Sequence, residues 1–437
     1  MMANLAEEFF TKNNSVKFVR LHWVDYSGVL RTRIITKARC LRLAQGTDCY
    51  HLDQYCMIIP ISTAPICSSD SVEQWILNLD LESLMVCGFA PTHASVMCGT
   101  THTGLKDPLA RCPRNLLHTT VHAFQESCQS KLLMSFEIEF VLLDETLKPA
   151  TSFDRMAGYS MTAGLRTNNL VILEEIVDAL EVSGIEIHHF HTEGVEQLEI
   201  ALSPLRPMQA IDALMMAQET IRTISIRHGL KATTAPRPTF HGPPSGCHLH
   251  LSLHPVPFKD ASSFLAGILQ SMKPLCALGL PTYDSYHRVI GGGNVGEWIG
   301  WGTHNKDFPI RQVSSNRWEF RFLDATANVY LFVAALLSSG MSGIQKNQVL
   351  TYADCQVVPS AIDSYEEAGR RLLEFGITER MPKSFAASLK HAREDKDLQS
   401  WVGAELFSQY MKIKEAELEH FSKMTDEERR RKILDYF

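Results

Sequence analysis

Phe136-Glu137-Ile138-Glu139-Phe140 alternates strictly between apolar side chains and carboxylates. Strand side chains two residues apart share a face at a spacing of about 7 Å. The pentapeptide therefore reads as a strand with two glutamates in front and Phe136, Ile138 and Phe140 behind. The period recurs along the chain. Gln197-Leu198-Glu199-Ile200 repeats it, and Cys247-His248-Leu249-His250-Leu251-Ser252 lines up two imidazoles and a hydroxyl. Arg317-Trp318-Glu319-Phe320-Arg321-Phe322 sets two guanidinium groups around a carboxylate. One such segment is an ordinary half-solvated strand. Four of them, each with an apolar back, predict a sheet whose front is a polar site.

Outward from these segments, residues 16–35 read as two strands joined by a turn at Asp25-Tyr26-Ser27-Gly28. A loop-rich region dense in Thr, Ser, Pro and Cys follows to about residue 105, and a domain boundary is expected at Lys106-Asp107-Pro108. Helical spacing marks 114–129, 174–183 and 208–228; strands are expected at 131–143, 197–202, 231–234, 247–253 and 316–323. The last 75 residues are charged and helical. Strands and helices intermix without βαβ alternation, which predicts an α+β fold with domains at 1–105 and 106–437.

At 437 residues, 45% of them apolar, the chain exceeds one compact core and excludes a disordered or fibrous protein. The net charge of 42 − 49 = −7 argues against nucleic acid as a partner. Eleven scattered cysteines without a C-x-x-C pair read as reduced thiols. The start, MMANLAEEFF, is not a signal peptide, and the apolar run Val329 to Ile344 is too short to span a bilayer. A soluble cytoplasmic protein without membrane partners is expected.

Glutamates facing one another across strands need cations between them, or their pKa values climb. Glu137, Glu139, Glu193, Glu199, Glu319 and His248 form a ligand set for hard divalent ions that admits one imidazole, so Mg²⁺ or Mn²⁺ is expected rather than zinc. His188, His189 and His191 precede the metal glutamates and are not expected among the ligands. Arg317 and Arg321 on the same face suit an anionic substrate. Carboxylates, metal and arginines together suggest phosphoryl transfer, and no G-x-x-x-x-G-K-[ST] loop is present.

In chain order, WVDYSG, FEIEF, HTEGVEQLEIAL, KATTAPRP, SGCHLHLSL, RVIGGGN, WGTHNKDFPIR and NRWEFRFLDATANVYLFVAALLSSG resemble the glutamine synthetase family. The likeness is to its class-I type, including the fungal and bacterial amide-forming relatives, and runs from about residue 16 to 421. It implies an N-terminal β-grasp domain, a catalytic domain shaped as an open barrel, and a homo-oligomeric ring with sites between subunits. It further implies that Glu139, Glu193 and Glu199 hold one metal and Glu137, His248 and Glu319 a second. His250, Ser252, Lys306, Arg311 and Arg317 would serve ATP, with Arg311 and Arg317 also stabilising the transferring group. Arg288, Arg321, Gly246 and Asn294 would meet the substrate. Asp25, delivered across the subunit interface, would take a proton from the incoming amine.

The sequence departs from the family pattern at four places. The span from Glu193 to Glu199 is one residue short, with Glu196 where a glycine is usual. Pro243-Pro244 replaces an Asn-Gly that helps hold the amino-acid end of the substrate, and proline offers no N–H. Lys306 replaces an arginine, and Asn294 lies near where a flap glutamate is expected. The phosphoryl-transfer groups persist while both substrate ends change. The expected activity is therefore an ATP-dependent ligase joining an amine to a glutamate-like acid. A true glutamine synthetase using ammonia, a phosphotransferase and a catalytically silent structural ring are the alternatives.

Overall fold

The computed structural model describes residues 2–53, 55–61, 74–150, 154–255, 261–290 and 295–437. Its strands are β1 (Phe18–Val24), β2 (Leu30–Thr36), β3 (Tyr50–Asp53), β4 (Gln74–Leu79), β5 (Met85–Val86), β6 (His93–His102) and β7 (Lys131–Leu143). They continue with β8 (Ile187–Thr192), β9 (Gln197–Leu202), β10 (Lys231–Thr233), β11 (Cys247–His254), β12 (Trp301–Thr303), β13 (Ile310–Ser314) and β14 (Arg317–Phe320). Among the described residues they form two sheets. The first runs β2-β1-β6-β4-β3, with β5 beside β6; the second runs β12-β13-β14-β11-β7-β9-β8, with β10 beside β7. Mixed helices and sheets of this kind are the α+β architecture expected from the intermixed pattern.

The second sheet buries its apolar back. Phe136, Ile138, Phe140, Leu198, Ile200, Leu249, Leu251, Trp318 and Phe320 are all buried, and the helix Pro207–Arg227 packs against β7. The helix Val329–Gln345 lies in the same core, where Phe332 meets Phe322 edge to face. That apolar run is thus a core element, and no helix of the described residues is long and apolar enough to cross a membrane. Every cysteine among the described residues is a free thiol; Cys67 lies outside them.

The region expected to be loop-rich, 36 to 105, instead supplies β3, β4, β5 and β6 to the first sheet. The strand β6, HASVMCGTTH, is buried along most of its length between parallel β1 and antiparallel β4. Its Ala, Ser, Cys, Gly and Thr follow no period of two, which gave it the composition of a loop.

The turn between β1 and β2 ties the first sheet to the segment after β14 and to the helix Ala404–Ser422. Gly28 has φ +89, and a Cβ there would stand 2.4 Å from the Thr326 carbonyl, so only glycine fits. Ser27 Oγ donates to Glu417 Oε1 at 2.6 Å, and the equally buried Lys414 pairs with Glu417 at 2.8 Å. Asn328 donates to the Asp25 carbonyl while its own oxygen caps the helix that begins at Val329.

Asp25 itself corrects an expectation. It is 0% exposed, so it cannot reach a neighbouring subunit's substrate. One carboxylate oxygen accepts from the backbone N–H groups of Ser27 and Val29, the other from Arg31. This is the turn-forming aspartate of an Asp-x-Ser-Gly corner, closing the hairpin rather than serving as a base. Burial pushes its pKa up to about 6, against the opposing charge of Arg31. Between about pH 4 and 6 the folded chain thus holds a proton that the unfolded chain has released, and stability falls as pH rises through that window. Asp25→Asn cannot ionise, so its stability relative to the wild type should climb from pH 4.5 to pH 7.5 by up to about 3 kcal/mol. Denaturant midpoints of both proteins at the two pH values check the sign; a relative loss over this interval would mean an aspartate stabilised by its ion pair.

Candidate active site

Strand register assembles the polar face. On β7, Glu137 stands opposite His248 of β11, and Glu139 opposite Glu199 of β9, which in turn faces His191 of β8. His250 stands opposite Glu319 of β14, which faces Arg311 of β13. Directly opposed residues have Cβ atoms about 5 Å apart, so these pairings converge the carboxylates that the sequence pattern places on one face.

Two groups of ligand atoms result. Oxygens of Glu139, Glu193 and Glu199 lie within 4.8 Å of one another, as do ligand atoms of Glu137, His250 and Glu319. His248 stands between the groups, its Nδ1 3.4 Å from both Glu137 Oε2 and Glu319 Oε1 and its Nε2 3.6 Å from Glu139 Oε1. His250 approaches Glu137 more closely, at 2.8 Å. Two imidazoles thus serve the second group, where one was expected.

The shortened span from Glu193 to Glu199 closes as a tight hairpin. Glu193 N donates to the Gln197 carbonyl at 2.9 Å, and Glu196 adopts the left-handed region at φ 62 while pairing with Arg155. Gln197 then fixes the neighbouring ligand. Its Nε2 donates to Glu139 Oε2 at 2.9 Å and to Ser245, and the Gly246 N–H donates to the same carboxylate oxygen at 2.8 Å. A Cβ on Gly246 would lie 2.5 Å from His248 Nε2, so this position must be bare.

Electrostatics separate the two groups. Burial pushes Glu193 up to about 7, with the charges of Glu199 and Glu139 adding to it, and burial also raises Glu199. Glu137 behaves oppositely: burial opposes ionisation, yet hydrogen bonds from His248 and His250 hold its carboxyl well below the usual range. At Glu319 the desolvation of burial is outweighed chiefly by Arg321, and its pKa is likewise lowered. The second group is therefore already compensated by protein cations, and the first is short of positive charge. Glu193 Oε2 and His248 Nε2 are buried without a hydrogen-bond partner, while Glu319 Oε2 is met by the Arg311 guanidinium. A carboxylate oxygen and an imidazole nitrogen left without hydrogen bonds among clustered carboxylates fit hard divalent cations.

The arginines divide. Arg311 Nη1 stands 2.7 Å from Glu319 Oε2, Arg321 pairs with Glu319 Oε1, and Arg317 Nη2 lies 3.2 Å from His250 Nδ1. Ser252, in register with Arg317, sits at that same end. Arg288 departs from expectation: it is fully buried and donates to the carbonyls of Leu323 at 2.7 Å and Arg321 at 2.8 Å. It clamps the backbone behind Gly246 and presents no surface to a substrate carboxylate. Lys306 lies over the Tyr159 ring at 5.0 Å, where its charge acts on Glu193. Asn294 and the glycines before it lie outside the described residues.

His189 and His191 were not among the expected ligands, yet they stand at this face. His191 Nε2 lies 3.2 Å from Glu199 Oε1, and this hydrogen bond pushes the imidazole up to about 9. The signal was present, since His189-x-His191 has the same period as His248-x-His250.

Residues 110–432 match the model of the glutamine synthetase catalytic domain. Protein fluG of Emericella nidulans is 31% identical over 453 residues, covering 99% of this chain, which spans 50% of that relative's length. The glutamine synthetase of Methanococcus maripaludis is 28% identical over 433 residues, covering 94% of this chain and 95% of the relative. Among solved structures, a GmaS/ADP complex superposes with a TM-score of 0.82 at 22% identity, over 100% of this chain and 99% of that one. A novel glutamine synthase homolog gives 0.79 at 23% identity, over 97% and 99%. These two likenesses show the fold. With the catalytic-domain model spanning most of its length, the chain belongs to the glutamine synthetase family, whose members are ligases.

Proposed function

We propose that the protein is an ATP-dependent amide ligase that activates a glutamate-like acid and condenses it with an amine. The carrying observation is the converging set of Glu137, Glu139, Glu193, Glu199, Glu319 and His248, with orphaned ligand atoms in both groups. The GmaS structure that shares the fold is an ADP complex, which supports a nucleotide as co-substrate. In this reading Glu139, Glu193 and Glu199 hold one Mg²⁺ or Mn²⁺, and Glu137, His248 and Glu319 hold the second. When bound, such ions offset the charge that gathers on phosphoryl oxygens.

The chain's own groups do the rest. Arg311 and Arg317, at the His250–Ser252 end, offer guanidinium forks to the nucleotide phosphates. Arg321 meets the acid beside the bare backbone of Gly246. An oxygen of the acid's carboxylate attacks the terminal phosphorus, the bond to ADP breaks, and an acyl phosphate forms. The amine nitrogen then attacks the acyl carbon, phosphate departs, and the nitrogen loses a proton. With Asp25 buried in its turn, that proton goes to another acceptor. By the same reading the chain works in the cytoplasm as a homo-oligomer of ring form. It then comprises an N-terminal β-grasp domain (1–105) and a catalytic domain (106–437).

Glutamine formation is the second reading, favoured by relatives named glutamine synthetase that match most of this chain. Against it, Pro243 and Pro244 line the approach to Glu193. The Pro244 carbonyl accepts from Gln197, Pro243 abuts Gly194, and neither proline can donate to a substrate. ATP turnover over a matrix of acids and amines decides. Organic amines should outpace ammonia with a glutamate-like acid; efficient turnover only with glutamate and ammonia would leave the glutamine synthetase reading standing. A phosphorylated acid without amide would indicate a phosphotransferase. Absence of turnover together with absence of ATP and Mn²⁺ binding would indicate a silent ring.

Gln197 gives a second test, because it positions a ligand without being one. Gln197→Leu frees Glu139 from its clamp and should weaken Mn²⁺ binding by about 10- to 100-fold while the chain stays folded. Calorimetric Mn²⁺ titration beside circular dichroism checks it; unchanged affinity would remove Glu139 from the ligand set.

A further inference from the structure

The strand β8 forms one edge of the second sheet, and its front carries two imidazoles that the ligase reading leaves unused. The rings of His189 and His191 stack in parallel, with centroids 5.3 Å apart and 10° between planes. Their Nε2 atoms converge on one oxygen, Glu199 Oε1, at 4.0 Å from His189 and 3.2 Å from His191. The three ligand atoms lie within 4.8 Å of one another.

The opposite ring nitrogens are engaged elsewhere. His191 Nδ1 donates to the Thr192 carbonyl at 2.8 Å, an oxygen that can only accept, so the proton of the neutral ring belongs on Nδ1. His189 Nδ1 lies 2.7 Å from His188 Nδ1. Metal-binding histidines commonly have this arrangement, with one nitrogen tied by an outer partner and the other aimed inward. Neutral Nε2 lone pairs facing a carboxylate repel it unless a cation sits between them. Side-chain exposure falls from 43% at His189 to 14% at His191 and 7% at Glu199, leaving a solvent path to the ion and room for water ligands. Tyr159 closes the other side, edge-on to His191 at 5.2 Å.

We propose that His189, His191 and Glu199 form a binding site for a borderline transition-metal ion, of which Zn²⁺ is the best suited. Two imidazoles and one carboxylate match zinc and cobalt and suit magnesium poorly. Glu199 also belongs to the Glu139–Glu193–Glu199 group, so zinc here draws a carboxylate away from the hard-ion set and weakens Mn²⁺ or Mg²⁺ there. Binding stands on the geometry alone; its effect on turnover rests on the proposed ligase function.

The test uses the full chain without nucleotide or substrates. Co²⁺ is titrated while its visible d–d absorption is followed, Zn²⁺ is titrated by calorimetry, and free Mn²⁺ is read by electron paramagnetic resonance. The wild type should bind Co²⁺ with an absorption typical of nitrogen ligation, Zn²⁺ should displace it, and Zn²⁺ should raise the apparent Kd for Mn²⁺. His189→Ala, an exposed position where truncation leaves the fold intact, should weaken Zn²⁺ at least about tenfold and leave Mn²⁺ affinity in the absence of zinc unchanged. His189→Ala binding Zn²⁺ as the wild type does, or Zn²⁺ and Mn²⁺ binding independently in the wild type, would overturn the proposal. Neither readout depends on turnover, so a protein that proves not to be a ligase can still bind zinc at this site.

Discussion

Five glutamates on the front of one sheet must be compensated before the rest of this structure can exist. Two like charges about 4 Å apart in a protein environment repel by about 4 kcal/mol, and here several such pairs share one face. The compensation differs from residue to residue. Glu319 has Arg311 and Arg321, Glu137 has two imidazoles, Glu139 has Gln197 and a backbone N–H, and Glu199 has His191. Glu193 has least, and burial drives it toward neutrality. The charge deficit is therefore local, and it lies where Glu139, Glu193 and Glu199 meet.

Holding that arrangement is a problem of register. A slip of one residue in any strand would turn its front to the back and bury charge against Phe136 or Trp318. The apolar back prevents this, because Phe140, Leu249 and Phe320 have no solvated alternative. Glycine serves the front in a complementary way: Gly246 lets Glu139 approach the backbone and lets Arg288 brace it from behind. Arg288 shows how a residue with the chemistry of a substrate contact can be consumed by the scaffold. Once both Nη groups bond carbonyls in a fully buried setting, freeing the guanidinium would forfeit two charge-assisted hydrogen bonds, each contributing about 1.5–3 kcal/mol.

What was legible in the sequence follows the same logic. The strands β7, β9, β11 and β14 announced themselves because one side of each is polar and the other is not. The strand β6 was hidden because its small and polar residues follow no period of two and also populate loops. Asp25 and Arg288 were misjudged for a common reason: burial is a tertiary property, and Asp-x-Ser-Gly reads alike whether its carboxylate closes a turn or faces a substrate. The place of Lys306 over the Tyr159 ring was not legible either, since a motif fixes a residue's position along the chain but not the direction of a long flexible side chain. His189 and His191 did carry a period-two signal, but their partner Glu199 comes from the next strand, and only the β8–β9 register brings them together.

Donor character also changes in order along the sheet. The Arg317–Ser252 end is cationic and hydroxylic, the middle mixes imidazole with carboxylate, and the Glu139–Glu193–Glu199 group is oxygen alone. Past it, on the edge strand, imidazole returns. Ion preference follows donor softness, so adjacent positions on one face favour different ions even though they share ligands. Glu199 sits at the junction, bonded to His191 on one side and grouped with Glu139 and Glu193 on the other. A carboxylate so placed cannot give its best geometry to both neighbours at once. Under the two proposed assignments, whichever cation engaged it first would weaken the other position, and the register of β7, β9 and β8 would set that competition.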